Sequence, residues 1–250
     1  MKKINLRHIS TLAPKGENKE KVKKELEHLK GKLGELQNLL FAEGKHALLV
    51  VIQGMDASGK DGAVKNVFDA VNPMGCNVIA FKQPTQPEAK HDFLWRIHQH
   101  TPPKGMLHIF NRSHYEDVLI QKVHQWVDGK TIHQRYDHIN NFEKLLTESN
   151  TTVLKFYLHI SKKEQLERLQ ARLSDPTKKW KHNDNDIKER EYWKEYMEAY
   201  ETVFEKCSKH SKWHIVPSDQ NWYKEFYMAK IIVETLKKLK MKYPGLKGEQ

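Results

Sequence analysis

Between Glu17 and Glu43 the apolar residues Val22, Leu26, Leu29, Leu33, Leu36 and Leu40 recur every three or four positions. That period places them on one stripe and predicts an amphipathic helix over 17–43, with Lys19, Lys23, Lys24, Lys30 and Lys32 mostly off the stripe. About three heptads would support a coiled coil, but packing onto the rest of the domain is the favoured expectation. From Ala47 the pattern changes. "ALLVVIQ" (47–53) is a short continuous apolar run, as a buried parallel strand requires. "NVIAF" (77–81), "MLHIF" (106–110), "TVLKFYLHI" (152–160) and "WHIVP" (213–217) read as four further strands. Helices are predicted after Gly59, where Val64, Val67, Phe68 and Val71 share a side, and over 88–100, 134–148, 162–173 and 222–240. Strands alternating with helices give an α/β class, a parallel sheet sandwiched by helices, in one domain spanning 1–250.

In such sheets ligands bind beyond the carboxyl ends of the strands. Two stretches of unusual chemistry lie there. The first is Gly54, four residues, Gly59 and Lys60, with a strand before and a helix after. This phosphate-loop pattern puts backbone N–H groups and a helix N-terminus around one anion, with Gly54, Ser58, Gly59 and Gly62 in the cradle and Lys60 following the transferred phosphoryl group. Position 61 is Asp, where such loops usually carry the hydroxyl that holds magnesium, and Asp56 lies within the loop. Carboxylates beside phosphate repel it unless a cation sits between them, so Asp56 and Asp61 predict Mg2+. Asp56 is also placed to orient an attacking phosphate oxygen or accept its proton. The simpler alternative is a turn residue bonded to its own backbone.

The second stretch is "NRSHYED" (111–117). Asn111 is neutral where such strands usually end in Asp, and Arg112 is suited to clamping phosphate bidentately. Glu116 and Asp117, at the start of the next helix, restore negative charge and are candidate metal ligands. Tyr115 is as well explained by packing as by ligand contact. Farther on, "SDPTKKWKHNDND" breaks the helical pattern with Pro176 and an Asn/Asp cluster. Lys178, Lys179 and Lys181 make it basic, and Arg168 and Arg172, four apart on the preceding helix, share a face pointing toward it. A basic lid over about 165–190 is expected, against the plainer reading of a solvated charge run.

The 43 Lys and Arg outnumber 32 Asp and Glu, a formal charge of +11, which favours anionic partners without choosing among them. Cys76 and Cys207 read as free thiols. His91, His98 and His100 read as surface or hydrogen-bonded residues and not as a metal site. No signal-peptide core or membrane-length apolar run is present, so a cytoplasmic protein with neither membrane nor nucleic-acid partner is expected.

"GMDASGKDG", "VNPMG", "FKQPT", "HDFLWRIHQHTPPKG", "IFNRSHYEDVL" and "DPTKKWK", in this order between about Leu36 and Lys238, resemble the polyphosphate kinase 2 family. The resemblance implies a P-loop kinase-like fold with a helical, basic lid. It also implies magnesium-dependent, reversible phosphoryl transfer between inorganic polyphosphate and nucleotides: AMP, ADP, ATP and their guanine counterparts. By position Asp56 corresponds to the family's catalytic, metal-associated loop acid, Lys60 to the loop lysine and Arg112 to the arginine of the second motif. Glu116 and Asp117 match the branch that resembles enzymes phosphorylating AMP as well as ADP. Arg168, Arg172, Lys178, Lys179 and Lys181 match the polyanion-facing lid, while Asn111 departs from the Asp of many relatives. Lys82, with Lys65 and Lys90, would extend the basic groove. A homo-oligomer is implied, with the leucine stripe as one contact surface. The competing readings are an ATP-dependent nucleoside or nucleotide kinase, against which Asp61 argues, and a basic nucleic-acid-binding P-loop domain, for which no recognition motif is present.

Overall fold

A computed structural model describes residues 4–245. Five strands, β1 (Ala47–Gly54), β2 (Cys76–Ala80), β3 (Leu107–Asn111), β4 (Thr151–His159) and β5 (Trp213–Pro217), form one sheet in the order β2-β3-β1-β4-β5. Every pairing is parallel. β1 sits at the centre, fully buried along its length, which is why its sequence is a continuous apolar run. Because β3 and β4 flank it, the turns after β1 and β3 open side by side at the carboxyl edge.

Helices cover both faces. On one lie α1 (Lys19–Glu43), α2 (Lys60–Val67) and α9 (Asn221–Lys238). On the other lie α4 (Glu116–Val123), α5 (Gly129–Glu148) and α8 (Trp193–Lys206), while α3 (Trp95–His98), α6 (Lys162–Ser174) and α7 (Asp184–Glu189) border the carboxyl edge. Two apolar cores result, one on each face of the sheet. Val22, Leu26, Leu33, Leu36 and Leu40 of α1 are buried in the second core together with α9 residues such as Ile232 and Leu236. The leucine stripe therefore packs onto the chain's own core, as the favoured expectation has it, and is not left over as a contact surface between copies.

The expected helix over 88–100 is not continuous. It breaks into a single 3-10 turn (Glu88–Lys90) and the four-residue α3. Local side-chain acceptors compete for the backbone donors: Glu88 takes the Thr85 N–H at 2.7 Å and Asp92 takes that of Leu94 at 2.9 Å. α5 starts at Gly129, ahead of the expected Gln134, because Asp128 caps it through the Thr131 N–H at 2.7 Å.

Beneath the second turn lies a polar knot. Lys155 of β4, fully buried, places Nζ 2.6 Å from Glu143 of α5, 2.9 Å from the Tyr115 hydroxyl and 2.7 Å from the Cys207 carbonyl. Tyr115 also donates to Glu143 at 2.6 Å. Tyr115 is thus a packing residue, and it anchors the segment that carries Arg112 and Glu116.

Candidate active site

The turn after β1 folds as a phosphate cradle. Gly54 has φ +156°, and a Cβ there would meet the Leu158 carbonyl at 2.9 Å and Ser58 Oγ at 2.7 Å. Gly59 has φ +94° and caps α2. The N–H groups of Lys60, Asp61 and Gly62 open the helix, where backbone donors have no intrahelical acceptor. Ala57 and Arg112 are non-glycine residues held at φ 58° and 62°. Such conformations cost on the order of 1 kcal/mol each and concentrate where surrounding structure enforces them.

Lys60 is 9 % exposed and curls over its own loop, donating to the Gly54 carbonyl at 2.7 Å and the Met55 carbonyl at 3.1 Å. Burial, assisted by the Arg112 charge, pulls its ammonium down to about 8 against the opposing pull of Asp56, Glu116 and Asp61. Arg112 bonds Asp56 Oδ1 at 2.7 Å and lies 3.7 Å from Glu116. The Glu116 charge, ahead of that of Asp56, holds the guanidinium still more firmly protonated. Gln53, fully buried on β1, accepts from the Ser113 N–H and hydroxyl at 3.1 Å and donates to Glu116 Oε1 at 3.0 Å. Asp61 accepts from Asn111 at 2.9 Å and from Lys181 at 2.7 Å. Burial alone would raise its pKa, but these bonds outweigh it and hold the carboxyl below its ordinary value.

Two cavities meet here. A groove of about 850 Å³ is lined by Lys60, Asp61, Arg172, Lys178, Lys181 and Lys224. A cleft of about 350 Å³ is lined by Glu116, Asp117, Asp186, Trp126, Tyr196 and Tyr200. Asp56, Arg112 and Lys82 line both. The groove is predominantly cationic, although Asp56, Asp61, Glu164, Asp186 and Glu225 also line it; the cleft is predominantly acidic and aromatic, and Asp56, Arg112 and Asp186 stand at the junction.

The structure does not gather every residue that the sequence put forward. Asp117 is buried against Arg135, at 3.8 Å, and burial pushes its carboxyl up to about 6. It stands apart from the pairing of Asp56 and Glu116 with Arg112, a poor disposition for a metal ligand. Arg168 is expected to face a polyanion, yet its donors go to protein oxygens: Glu164, the Ala57 and Ser58 carbonyls, and those of Ser218 and Asp219. It lines the groove as expected, but there its hydrogen bonds brace the loop. Arg172 is paired with Asp186 within the lid. Lys178 pairs with Asp175 at 2.8 Å, and Lys179 is exposed off the groove wall. Lys65 and Lys90 lie outside both cavities. Ser58 is fully buried, its hydroxyl tucked against Gly54.

Other residues join the site from positions that the sequence left unmarked. Asp186 reaches it from α7; burial, then the Asp56 charge, raises its carboxyl. Gln165, 1 % exposed, donates to the Asp56 carbonyl at 3.0 Å and accepts from Arg190 at 2.6 Å, joining the loop to the far end of the lid. Lys224 approaches from α9 behind Gly59. In the sequence each looks like an ordinary polar position on a helix; only tertiary placement distinguishes it. The Asn/Asp cluster after Lys181 was the available signal for Asp186.

Among the described residues no three His, Cys, Asp or Glu converge as a ready-made ion site. The donors present suit a cation that brings much of its shell with it. Asp56 and Glu116 present hard carboxylate oxygens to one guanidinium, and Asp186 lines the same junction.

The model of the family described as polyphosphate kinase 2 (PPK2) matches residues 16–244. The chain is 49 % identical over 217 residues to an AMP/ADP-polyphosphate phosphotransferase of Meiothermus ruber, covering 86 % of this chain and 81 % of that one. It is 42 % identical to an ADP-polyphosphate phosphotransferase of Rhodopseudomonas palustris, over 85 % of this chain and 78 % of that one. A crystal structure of polyphosphate kinase 2 from Arthrobacter aurescens superposes with a TM-score of 0.96 at 41 % identity, over 100 % of this chain and 91 % of the other. With a P-loop, an Asn-Arg turn and a basic lid assembled around one junction, and with a match along nearly its whole length, the chain belongs to the polyphosphate kinase 2 family.

Proposed function

We propose that this chain is a polyphosphate-dependent nucleotide phosphotransferase, moving the terminal phosphoryl group of inorganic polyphosphate to AMP and ADP, reversibly and with Mg2+. The observation that carries the reading is the meeting of a cationic trough and an acidic, aromatic recess at Asp56 and Arg112. A polyanion with about one charge per phosphate suits the trough. A nucleotide suits the recess, its base against apolar and aromatic side chains and its phosphate toward Arg112.

The chemistry follows from positioning. Lys60 and the N–H groups opening α2 hold the donor's terminal phosphoryl, and Arg112 neutralises charge on the equatorial oxygens. An oxygen of the acceptor phosphate attacks in line. The donor P–O bond breaks, and the shortened chain leaves with the bonding electrons. Asp56, fixed by Arg112, orients the attacking phosphate and takes up its proton where one is present. Asp56 and Glu116 would hold Mg2+, which supplies charge neutralisation between carboxylates and phosphates when bound. Glu116 is turned toward Arg112 by Gln53, and this supports use of both AMP and ADP. A carboxylate there helps hold the metal without gripping one phosphate register.

Guanine nucleotides as further acceptors, a cytoplasmic setting and a homo-oligomer belong to the same proposal. No helix among the described residues is long and apolar enough to cross a membrane. The test incubates the protein with Mg2+, polyphosphate and each nucleotide in turn, and separates the products by anion exchange. ADP and ATP formed as the chain shortens are expected; acceptors left untouched by polyphosphate but phosphorylated by ATP would replace this reading with an ATP-dependent kinase.

A further inference from the structure

Lys224 is 1 % exposed and lines the cationic groove, yet its hydrogen bonds go to neutral oxygens: Asn221 Oδ1 at 2.7 Å and, at a long 3.3 Å, the Gly59 carbonyl. The acid that acts on it most is Glu225, whose own carboxylate accepts from Asn66 at 2.8 Å, and the charge that acts on it from α6 is another cation, Arg168. A buried ammonium without a contacting carboxylate is costly to a fold and persists where something else supplies the counter-charge. Burial already draws it down to about 8. The loop is shaped to admit it: a Cβ on Gly59 would lie 2.5 Å from Lys224 Nζ. An ammonium has three donors, and two are accounted for.

We propose that Lys224 is a second phosphate ligand for the donor chain. Lys60 serves the phosphoryl group in transfer. Lys224, behind Gly59, binds a phosphate farther along the polyphosphate, in the groove that Lys178 and Lys181 also line. The assignment rests on the polyphosphate-donor reading and adds a residue from outside the loop and the lid. It gives a groove whose lid lysines are already engaged, Lys178 with Asp175 and Lys181 with Asp61, a further cation on a core helix.

The competing role is a brace that acts on the loop through the Gly59 carbonyl. Steady-state kinetics of the full chain separates the two. Lys224→Met keeps the length of the stem and removes the charge, and Lys224→Gln, which retains a donor toward Asn221, serves if the Met variant does not fold. With ADP saturating, the KM for polyphosphate should rise about tenfold or more, while the KM for ADP stays within about twofold. The dependence of the polyphosphate KM on salt should flatten, because fewer counterions are exchanged on binding. Lys224→Arg, which restores the charge, should recover most of the affinity. An unchanged polyphosphate KM in a folded variant overturns the assignment, and so does a matched loss of kcat and of affinity for both substrates, the signature of a brace. Wild type in the same assay keeps the parent reading separate: failure to use polyphosphate at all refutes that reading, whereas normal use beside an unaffected variant refutes only the role of Lys224.

Discussion

Lys60→Met should make the protein more stable while nearly abolishing its activity. The ammonium of Lys60 lies in the folded loop with its pKa drawn from 10.5 to about 8, first by burial and then by the Arg112 charge. At about 1.4 kcal/mol per pH unit, holding that charge in the folded state at pH 7 costs about 3 kcal/mol. Loss of its bonds to the Gly54 and Met55 carbonyls takes back about 1–2 kcal/mol, leaving a net gain on the order of 1–2 kcal/mol for the variant. The sign also fixes the pH window. The unfolded chain binds the proton more tightly than the folded one, so the penalty is complete below pH 8 and fades as the pH rises toward 10.5. The variant's advantage should therefore be full at pH 7 and shrink steadily above pH 8. Meanwhile kcat should fall about 10²-fold or more, since a preorganised cation at the transferred phosphoryl is lost. Urea denaturation at several pH values, beside steady-state turnover, measures both quantities. A folded variant with near-normal kcat refutes the role of Lys60, and a less stable variant at pH 7 refutes the electrostatic argument.

Two further predictions concern the lid and the acceptor side. Replacing Lys178 and Lys181 together with Ala should raise the KM for polyphosphate more than that for nucleotide and weaken its salt dependence, whereas Lys179→Ala, off the groove wall, should change neither. Equal effects from all three lysines would return the segment to an undifferentiated basic surface. Glu116→Lys should shift the ratio of AMP to ADP turnover at saturating polyphosphate, because a cation beside Arg112 would favour one phosphate register; an active variant with an unchanged ratio removes Glu116 from acceptor selection.

The central strands β1, β3 and β4 are legible because they are short apolar runs, and burial on both faces leaves little else for such runs to be, whereas the edge strand β2 has no fully buried residue. β5 falls on the same residues that the apolar pattern marked, and β1 differs by its terminal Gly54. The phosphate loop was legible because its geometry demands Gly54, Gly59 and Lys60 at fixed spacing. The break within 88–100 was not, since helical apolar spacing says nothing of the acceptors on Glu88 and Asp92 that capture local N–H groups. At the site, charge predicted location better than role. Arg168 was marked by its sign and proximity to the lid, but its orientation toward five protein oxygens depends on backbone carbonyls distant in sequence. Lys224 and Gln165 carry no local signal at all, because their importance comes from what a different element brings to them.

In this mechanism donor and acceptor occupy adjoining cavities at the same time, with Asp56 and Arg112 between them. An initial-rate matrix in which polyphosphate and ADP are varied together tests this most directly. Simultaneous occupancy predicts double-reciprocal lines that intersect, the mark of a ternary complex. Parallel lines would mean that the phosphoryl group is first parked on the enzyme and the donor released, and would contradict the two-cavity mechanism.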